Sequence, residues 1–542
     1  MAQQADLTGP GVFSRPASGL IRVAGSADVF IYNVGLVSVG IAIALNQYYG
    51  PSLYPGAGVW LSTLLAALGM IAVAATFYFW SVIFPRSGGV YVSLSRGLHP
   101  AFAFVGSLIE TVILLYYAAF AASLIVKVGL SSFLATVGVV AGNRTLLDWA
   151  ASSAEPSGVF WIGAAVLVLA GLLLAWGTRR YFTVQKALFV LAVVGTLVLV
   201  AVLLLGSRAR FQANLQRLTG LDYHGVVATA KQNGYVTGSF SLGKSIEFLV
   251  FPLLPLLGAV QSIGIGGEVK RIRRSQLLGM LGAVAATGLL IALFDGLAAK
   301  AFGYEFQGAI GFNSISGIAD GSTEASVGAS PWFTVLAGIL TSNVLLAVVI
   351  MATFVAWIWF WIPAELAYTT RTMIAWSFDR LAPDRLGHVS ERLHTPVVAI
   401  GLSTAGAIVF MWLIAYRNIA FLSLIEALVV VWGAAMLAAI LFPRSRRELF
   451  DASPAAGSRL GGVPLMAVTG AVSLAFFALV LYLLWNDPIA AGPMFTLDHL
   501  SREFWLVLGT VAFGLGWFLG NRLYRRRQGI DVDLAFRQLP IE

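Results

Sequence analysis

Apolar residues fall along this 542-residue chain in long runs separated by short polar or basic punctuation. A run of about 20 apolar residues spans a hydrocarbon layer of about 30 Å as a helix. The runs predict spans at 27–49, 57–84, 101–126, 158–176, 183–205, 246–267, 277–299, 341–370, 396–416, 419–442, 463–485 and 503–523. Pro85, Pro396 and Pro443 stand at predicted span edges, where a missing backbone donor is tolerated. The stretches 206–245 and 301–332 are polar and rich in Gly, Ser and Asn. Short helices capping one mouth of the bundle are expected there.

Two spans break the pattern. The first reads DVFIYNVGLVSVGIAIAL, with Asn33, Gly35, Ser38 and Gly40 at mid-span. The sixth reads IEFLVFPLLPLLGAVQSIGIGG, with Pro252, Pro255, Gly258, Gly264, Gly266 and Gly267. Proline removes a helix donor and glycine weakens the helix, so both segments are predicted to break near the bilayer centre. Unpaired backbone at that depth survives only where it lines a polar cavity. Freed N–H groups hold a carboxylate and freed carbonyls hold a cation or ammonium. Asn33, Gly35, Ser38, Gly40, Gly258, Ala259, Val260 and Gln261 are therefore the candidate substrate-binding residues. A five-helix unit repeated in opposite orientation would put the first and sixth spans at matching positions. Close helix packing is the plainer use of glycine in membrane helices, and the chain has 57 glycines.

Composition supports the membrane reading. The chain is 58% hydrophobic and 11% charged, with a mean hydropathy of +0.85; a soluble domain carries roughly 25% charged residues. The net charge of +9 does not point to nucleic acid. With twelve spans and a cytoplasmic N-terminus, 24 of the 34 Lys and Arg fall on the cytoplasmic side, including Lys270–Arg274, Arg444–Arg447 and Arg525–Arg527. That is the bias that sets membrane orientation. Both termini are expected to be cytoplasmic, in a multi-pass protein of the cell membrane. Residues 1–25 lack the apolar core of a signal peptide. The absence of cysteine excludes disulfides and thiolate metal sites. No HExxH or GxSxG motif is present and no Walker-type phosphate loop is expected, so neither an enzyme nor an ATP-driven pump is expected.

Three motifs then resemble one family. PRSGGVYVSLSRGLHPAFAFVGSLIE (Pro85 to Glu110) is similar to the PRSGG-x-Y…LS-R…GP segment of amino acid–polyamine–organocation (APC) permeases. GEVKRIRRS (Gly267 to Ser275) is similar to their E-V-K-N-P-x-R, with Ile272 where proline is usual. RTMIAWSFDRLAPDRLGHVSERLHTPVVAI (Arg371 to Ile400) resembles R-x(7)-D-G-x-L-P…V…TP-x-x-A, with Arg380 replacing glycine. The resemblance covers about 27 to 440. It implies an all-α, leucine-transporter-type fold with two inverted five-helix repeats and two added helices. Its divisions would be a cytoplasmic segment 1–26, repeats 27–205 and 246–442 around an extracytoplasmic loop 206–245, a cytoplasmic loop 443–462, helices within 463–523 and a cytoplasmic tail 524–542. It also implies a substrate site between spans one, three, six, eight and ten. This chain departs from the family at the site. NVGLVSVG replaces the usual Gly-rich G-[SA]-x-x-G-[ST]-G, and Gly258-Ala259-Val260 replaces G-F-E. Ala192 stands where some proton-coupled members carry lysine.

A charged side chain at mid-bilayer costs at least about 2.5–3.5 kcal/mol, so each one asks for a reason. Glu110 in span three, Glu365 in span eight and Glu426 in span ten are the coupling candidates, with Asp295 toward the outer end of span seven. By the resemblance, Glu365 falls where related folds place Ser/Thr ligands for sodium. Asp28 and Glu247 near span ends read as capping or interfacial groups. His99, His224, His388, His394 and His499 are expected in loops, outside any intramembrane relay. Phe30, Tyr32, Phe251, Trp357, Trp359 and Trp361 are expected to pack around the interruptions or to gate them. The expected function is secondary transport of a small amino acid-like molecule by alternating access. It would need no cofactor beyond a coupling Na+ or H+, with the lipid bilayer as surroundings. A polyamine or organic cation as cargo, a channel and a non-transporting sensor stay open.

Overall fold

The computed structural model describes residues 20–417, 423–487, 500–532 and 536. The first 19 residues, the start of the predicted tenth span, His499 and the end of the 524–542 tail lie outside them. Twelve helical segments are long and apolar enough to cross a membrane: Ser26–Leu53, Val59–Ile83, Pro100–Ala141, Pro156–Ala175, Thr178–Leu205, Leu242–Gly264, Ile272–Phe302, Val344–Phe378, Val397–Arg417, Leu424–Ser445, Leu465–Asn486 and Arg502–Arg527. These are spans one to twelve below. The only strands among the described residues form a two-residue hairpin, Arg459–Leu460 with Val463–Pro464. The protein is an all-α polytopic membrane protein.

Several helices outrun their apolar stretch. Span three continues to Ala141 because a π-helical turn, Ile125–Ser131, carries the chain past Lys127. Span eight continues to Phe378, since Arg371 finds an ion-pair partner inside the protein. Hydropathy registers the hydrocarbon layer; a helix stops only where its backbone or its packing stops it. The long loops are helical, with Arg208–Thr219 and Tyr223–Gln232 after span five. Tyr304–Ile315, Thr323–Val327 and Phe333–Thr341 follow span seven. His224 therefore lies on a short helix, and His99 caps span three by accepting from the Ala101 N–H at 3.2 Å. We call the side bearing these loops the loop face and the other the basic face.

Both predicted interruptions are present. Span one runs helically to Val37, turns left-handed at Ser38 (φ +47°) and resumes at Val39. A non-glycine residue in that region costs on the order of 1–2 kcal/mol. Ser38 Oγ offsets part of it by donating to the Trp357 carbonyl on span eight at 2.9 Å. Span six is α-helical over Val250–Leu256, then 3₁₀ over Leu257–Gly264. Runs of 3₁₀ rarely exceed three or four residues and often mark hinges. Spans one and six pack together, as do two and seven, three and eight, and four and nine.

Candidate functional site

The two interruptions meet at the centre of the bundle. Asn33 Nδ2 donates to Ser262 Oγ at 2.9 Å, and the Ser262 N–H donates to Asn33 Oδ1 at 3.0 Å. Ser262 Oγ donates to Gln276 Oε1 at 2.5 Å, and Gln276 returns a bond to the Ser262 carbonyl at 3.0 Å. The junction is tight. A Cβ on Gly258 would lie 2.4 Å from the Leu36 carbonyl carbon and oxygen, and one on Gly35 would lie 2.7 Å from Phe360 Cβ. Gly40 packs on Trp357 and Phe354, and Ala259 and Val260 are fully buried. Gly258→Ala should therefore push spans one and six apart, at about 1–3 kcal/mol as for an overpacked core. Thermal unfolding in detergent reads this, and an unchanged melting temperature would show that the contact is dispensable.

Two carboxylates face this junction from other helices. Glu110 on span three accepts from Trp432 Nε1 at 2.7 Å and Tyr368 Oη at 3.0 Å, both at Oε1. Glu365 on span eight accepts from Trp361 Nε1 at 2.5 Å and Gln261 Nε2 at 3.2 Å, again at Oε1. Trp361, Glu365 and Tyr368 share one face of span eight by helical spacing. The second oxygens, Glu110 Oε2 and Glu365 Oε2, are buried with no hydrogen-bond partner among the described residues, as are Gln261 Oε1 and Tyr117 Oη. Among the described residues no Lys, Arg or His pairs with either carboxyl. Such a buried group is held as the neutral acid or as the counter-ion of a cation. The N–H groups that open the second half of span one, Val39 to Ile41, have no intrahelical acceptor, as at any helix start.

The other candidates lie elsewhere. Glu426 is across span three, bonded by Trp485 Nε1 at 3.3 Å beside an apolar groove of about 880 Å³. Asp28 caps its own helix, accepting from the Gly25 N–H at 2.9 Å, and pairs with Lys186 at 2.8 Å. Glu247 pairs with Lys244 at 2.6 Å. Tyr32 ties span one to the Ala364 carbonyl at 3.0 Å, and Trp357 Nε1 reaches Thr196 Oγ1 at 3.0 Å. Phe251 stacks with Phe248 and lies 5.4 Å from Tyr49, in an aromatic layer toward the loop face. Phe30 is half-buried beside Gly282, and Trp359 is half-buried with its Nε1 unpartnered among the described residues.

Toward the basic face the centre is closed by two buried ion pairs that sequence reasoning missed. Arg371 grips Glu268 through Nε at 2.7 Å and Nη2 at 3.2 Å. Arg96 grips Asp379 at 2.7 and 3.0 Å, with Tyr91 Oη donating to the same carboxylate at 2.7 Å. The Gly88 N–H donates to the Gly264 carbonyl at 3.1 Å, and the Lys270 N–H to the Ala24 carbonyl at 2.8 Å. The third sequence motif is thus fastened to both of the others, by Arg371–Glu268 and Arg96–Asp379. Their acidic and basic residues were legible; that they pair across the chain was not.

Gly238–Ser245 has the spacing G-x-x-x-x-G-K-S of a phosphate-binding loop, and the expectation of no ATP-driven chemistry passed over it. The structure gives it a different job. No strand precedes it, its helix has six residues, and Lys244 is paired with Glu247. Its Ser241 N–H bonds the Gly56 carbonyl at 2.8 Å, and Ser245 Oγ accepts from the Gly58 N–H at 2.8 Å. It clasps the start of span two.

The profile of the amino acid permease family matches residues 26–513. The chain belongs to that family, within the APC superfamily. No curated protein shows significant similarity to it. Membership points to a transporter rather than an enzyme, and the twelve spans agree. The match extends beyond the stretch that carries the three motifs, into span twelve.

Proposed function

We propose that this permease is a secondary active transporter of a small amino acid-like substrate, working by alternating access and driven by a Na+ or H+ gradient or by exchange. The observation that carries this reading is the pair of buried carboxyls facing the broken spans, each with one oxygen unpartnered among the described residues. A substrate ammonium would be met by Glu365, Glu110 or the carbonyls ending the first half of span one. A substrate carboxylate would be met by the N–H groups of Val39 to Ile41. The pairwise packing of spans one to four on six to nine supports two inverted five-helix units, 27–205 and 246–442. Rocking one group of helices against the other would part the Glu268–Arg371 and Arg96–Asp379 pairs on one side and the aromatic layer on the other. The basic bias supports a cell-membrane protein with both termini cytoplasmic.

A polyamine or organic cation is the second reading. It is favoured by two central carboxyls with no cationic residue paired to either of them among the described residues. Thermal stabilisation of the purified protein by an amino acid and amine panel, with and without sodium at two pH values, separates the two. We expect an amino acid to stabilise the wild type and the effect to be lost in Glu365→Gln. Stabilisation by amines alone would favour the second reading, and no shift with either class would contradict both.

A further inference from the structure

Asp295, on span seven toward the loop face, is a third buried carboxylate and takes no part in the central site. It accepts from Gln47 Nε2 at 2.7 Å, Thr63 Oγ1 at 2.9 Å and Asn46 Nδ2 at 3.1 Å. All three donors are neutral. Three lysines of this face are engaged elsewhere: Lys231 with Glu305, Lys244 with Glu247 and Lys300 with the Leu204 carbonyl. Among the described residues no cation pairs with Asp295, although it is only 2% exposed.

The carboxylate borders a cavity of about 220 Å³ whose walls include Gln47, Gln307, Tyr304, Trp60 and Phe240. Gln307 comes from the loop helix Tyr304–Ile315. Its Nε2 donates to Gln47 Oε1 at 2.7 Å, and its own buried Oε1 has no partner among the described residues. The three donors explain why a carboxylate stands at 295. They do not explain a cavity beside it, or a second buried oxygen with nothing to accept from.

We propose that Asp295 and Gln307 bind a small monovalent cation in this cavity, either an alkali metal ion or the ammonium head of a small amine. Carboxylate and amide oxygens suit either one. The half-exposed rings of Trp60 and Phe240 add attraction for a cation entering past them. A volume of about 220 Å³ holds a methylammonium-sized ion with a few waters, each taking about 30 Å³. A phosphate is excluded by the charge of Asp295, even though Gly238 of the phosphate-loop-like stretch lines the same cavity. The site is separate from the centre: it joins spans one, two and seven, and shares no hydrogen bond with Glu110 or Glu365.

The test uses the full-length protein and a hydrophobic carbodiimide, with modification of Asp295 followed by peptide mass spectrometry. Methylammonium, sodium, potassium and N-methylglucamine chlorides are compared at equal ionic strength. Saturable protection of Asp295 by methylammonium, or by sodium or potassium, is expected, and the protecting ion identifies the source. N-methylglucamine is too large to protect. If methylammonium protects, Trp60→Ala should raise the concentration needed by about two- to five-fold; this exposed residue lies outside the Asp295 hydrogen bonds. Equal labelling in all four salts would overturn the proposal, and so would an Asp295 that is never labelled, since the cavity would then not reach it.

Discussion

Glu110→Gln should abolish gradient-driven accumulation while leaving some substrate exchange. Glu110 Oε1 takes both hydrogen bonds, from Trp432 and Tyr368, and a glutamine amide oxygen accepts the same two donors. The fold therefore has little reason to change. What disappears is the ability to carry a charge or a proton at a place where burial makes either one consequential. Accumulation should fall at least about tenfold, equivalent to ~1.4 kcal/mol of lost coupling. Counterflow of labelled against unlabelled substrate should survive, because exchange needs the binding site and the rocking motion without net coupling. Proteoliposomes with and without an imposed gradient measure both. Accumulation equal to wild type would remove Glu110 from the coupling step.

The second large effect lies at the basic face. Arg371→Leu leaves Glu268 buried at 1% exposure with its charge partner gone. Breaking a buried pair from one side costs about 3–5 kcal/mol, most of it the penalty of the stranded charge. Removing both partners, as in Glu268→Gln with Arg371→Leu, should recover much of that loss, since a neutral pair strands no charge. Thermal unfolding of the two single variants and the double variant in detergent forms the cycle. Additive losses would mean that the two side chains are not coupled. The recovered double variant should also open more readily toward the basic face, seen as faster cysteine labelling at an introduced Ser262→Cys.

The architecture was largely legible before any coordinates, because a span announces itself by length and apolarity. The break in span one was legible too: Ser38 sits between Gly35 and Gly40, and the chain turns left-handed there. The site was harder. Glu110 and Glu365 stood out as carboxyls inside apolar runs, but their partners did not. Trp432 is 322 positions from Glu110, and nothing local marks it as a donor. Glu426 looked equivalent to them in sequence, yet it faces the other side of span three. Span ten is apolar all round, so its pattern does not say which face turns inward. Asp295 was noticed, but its donors come from two other spans, and only folding brings them together.

The most direct measurement is uptake of a radiolabelled amino acid mixture by proteoliposomes containing the purified protein. The account predicts uptake that saturates with concentration and rises when unlabelled amino acid is loaded inside. Uptake that grows linearly and ignores the internal substrate would indicate a channel, and no uptake at all, despite ligand-induced stabilisation, would indicate a sensor; either result would contradict the account.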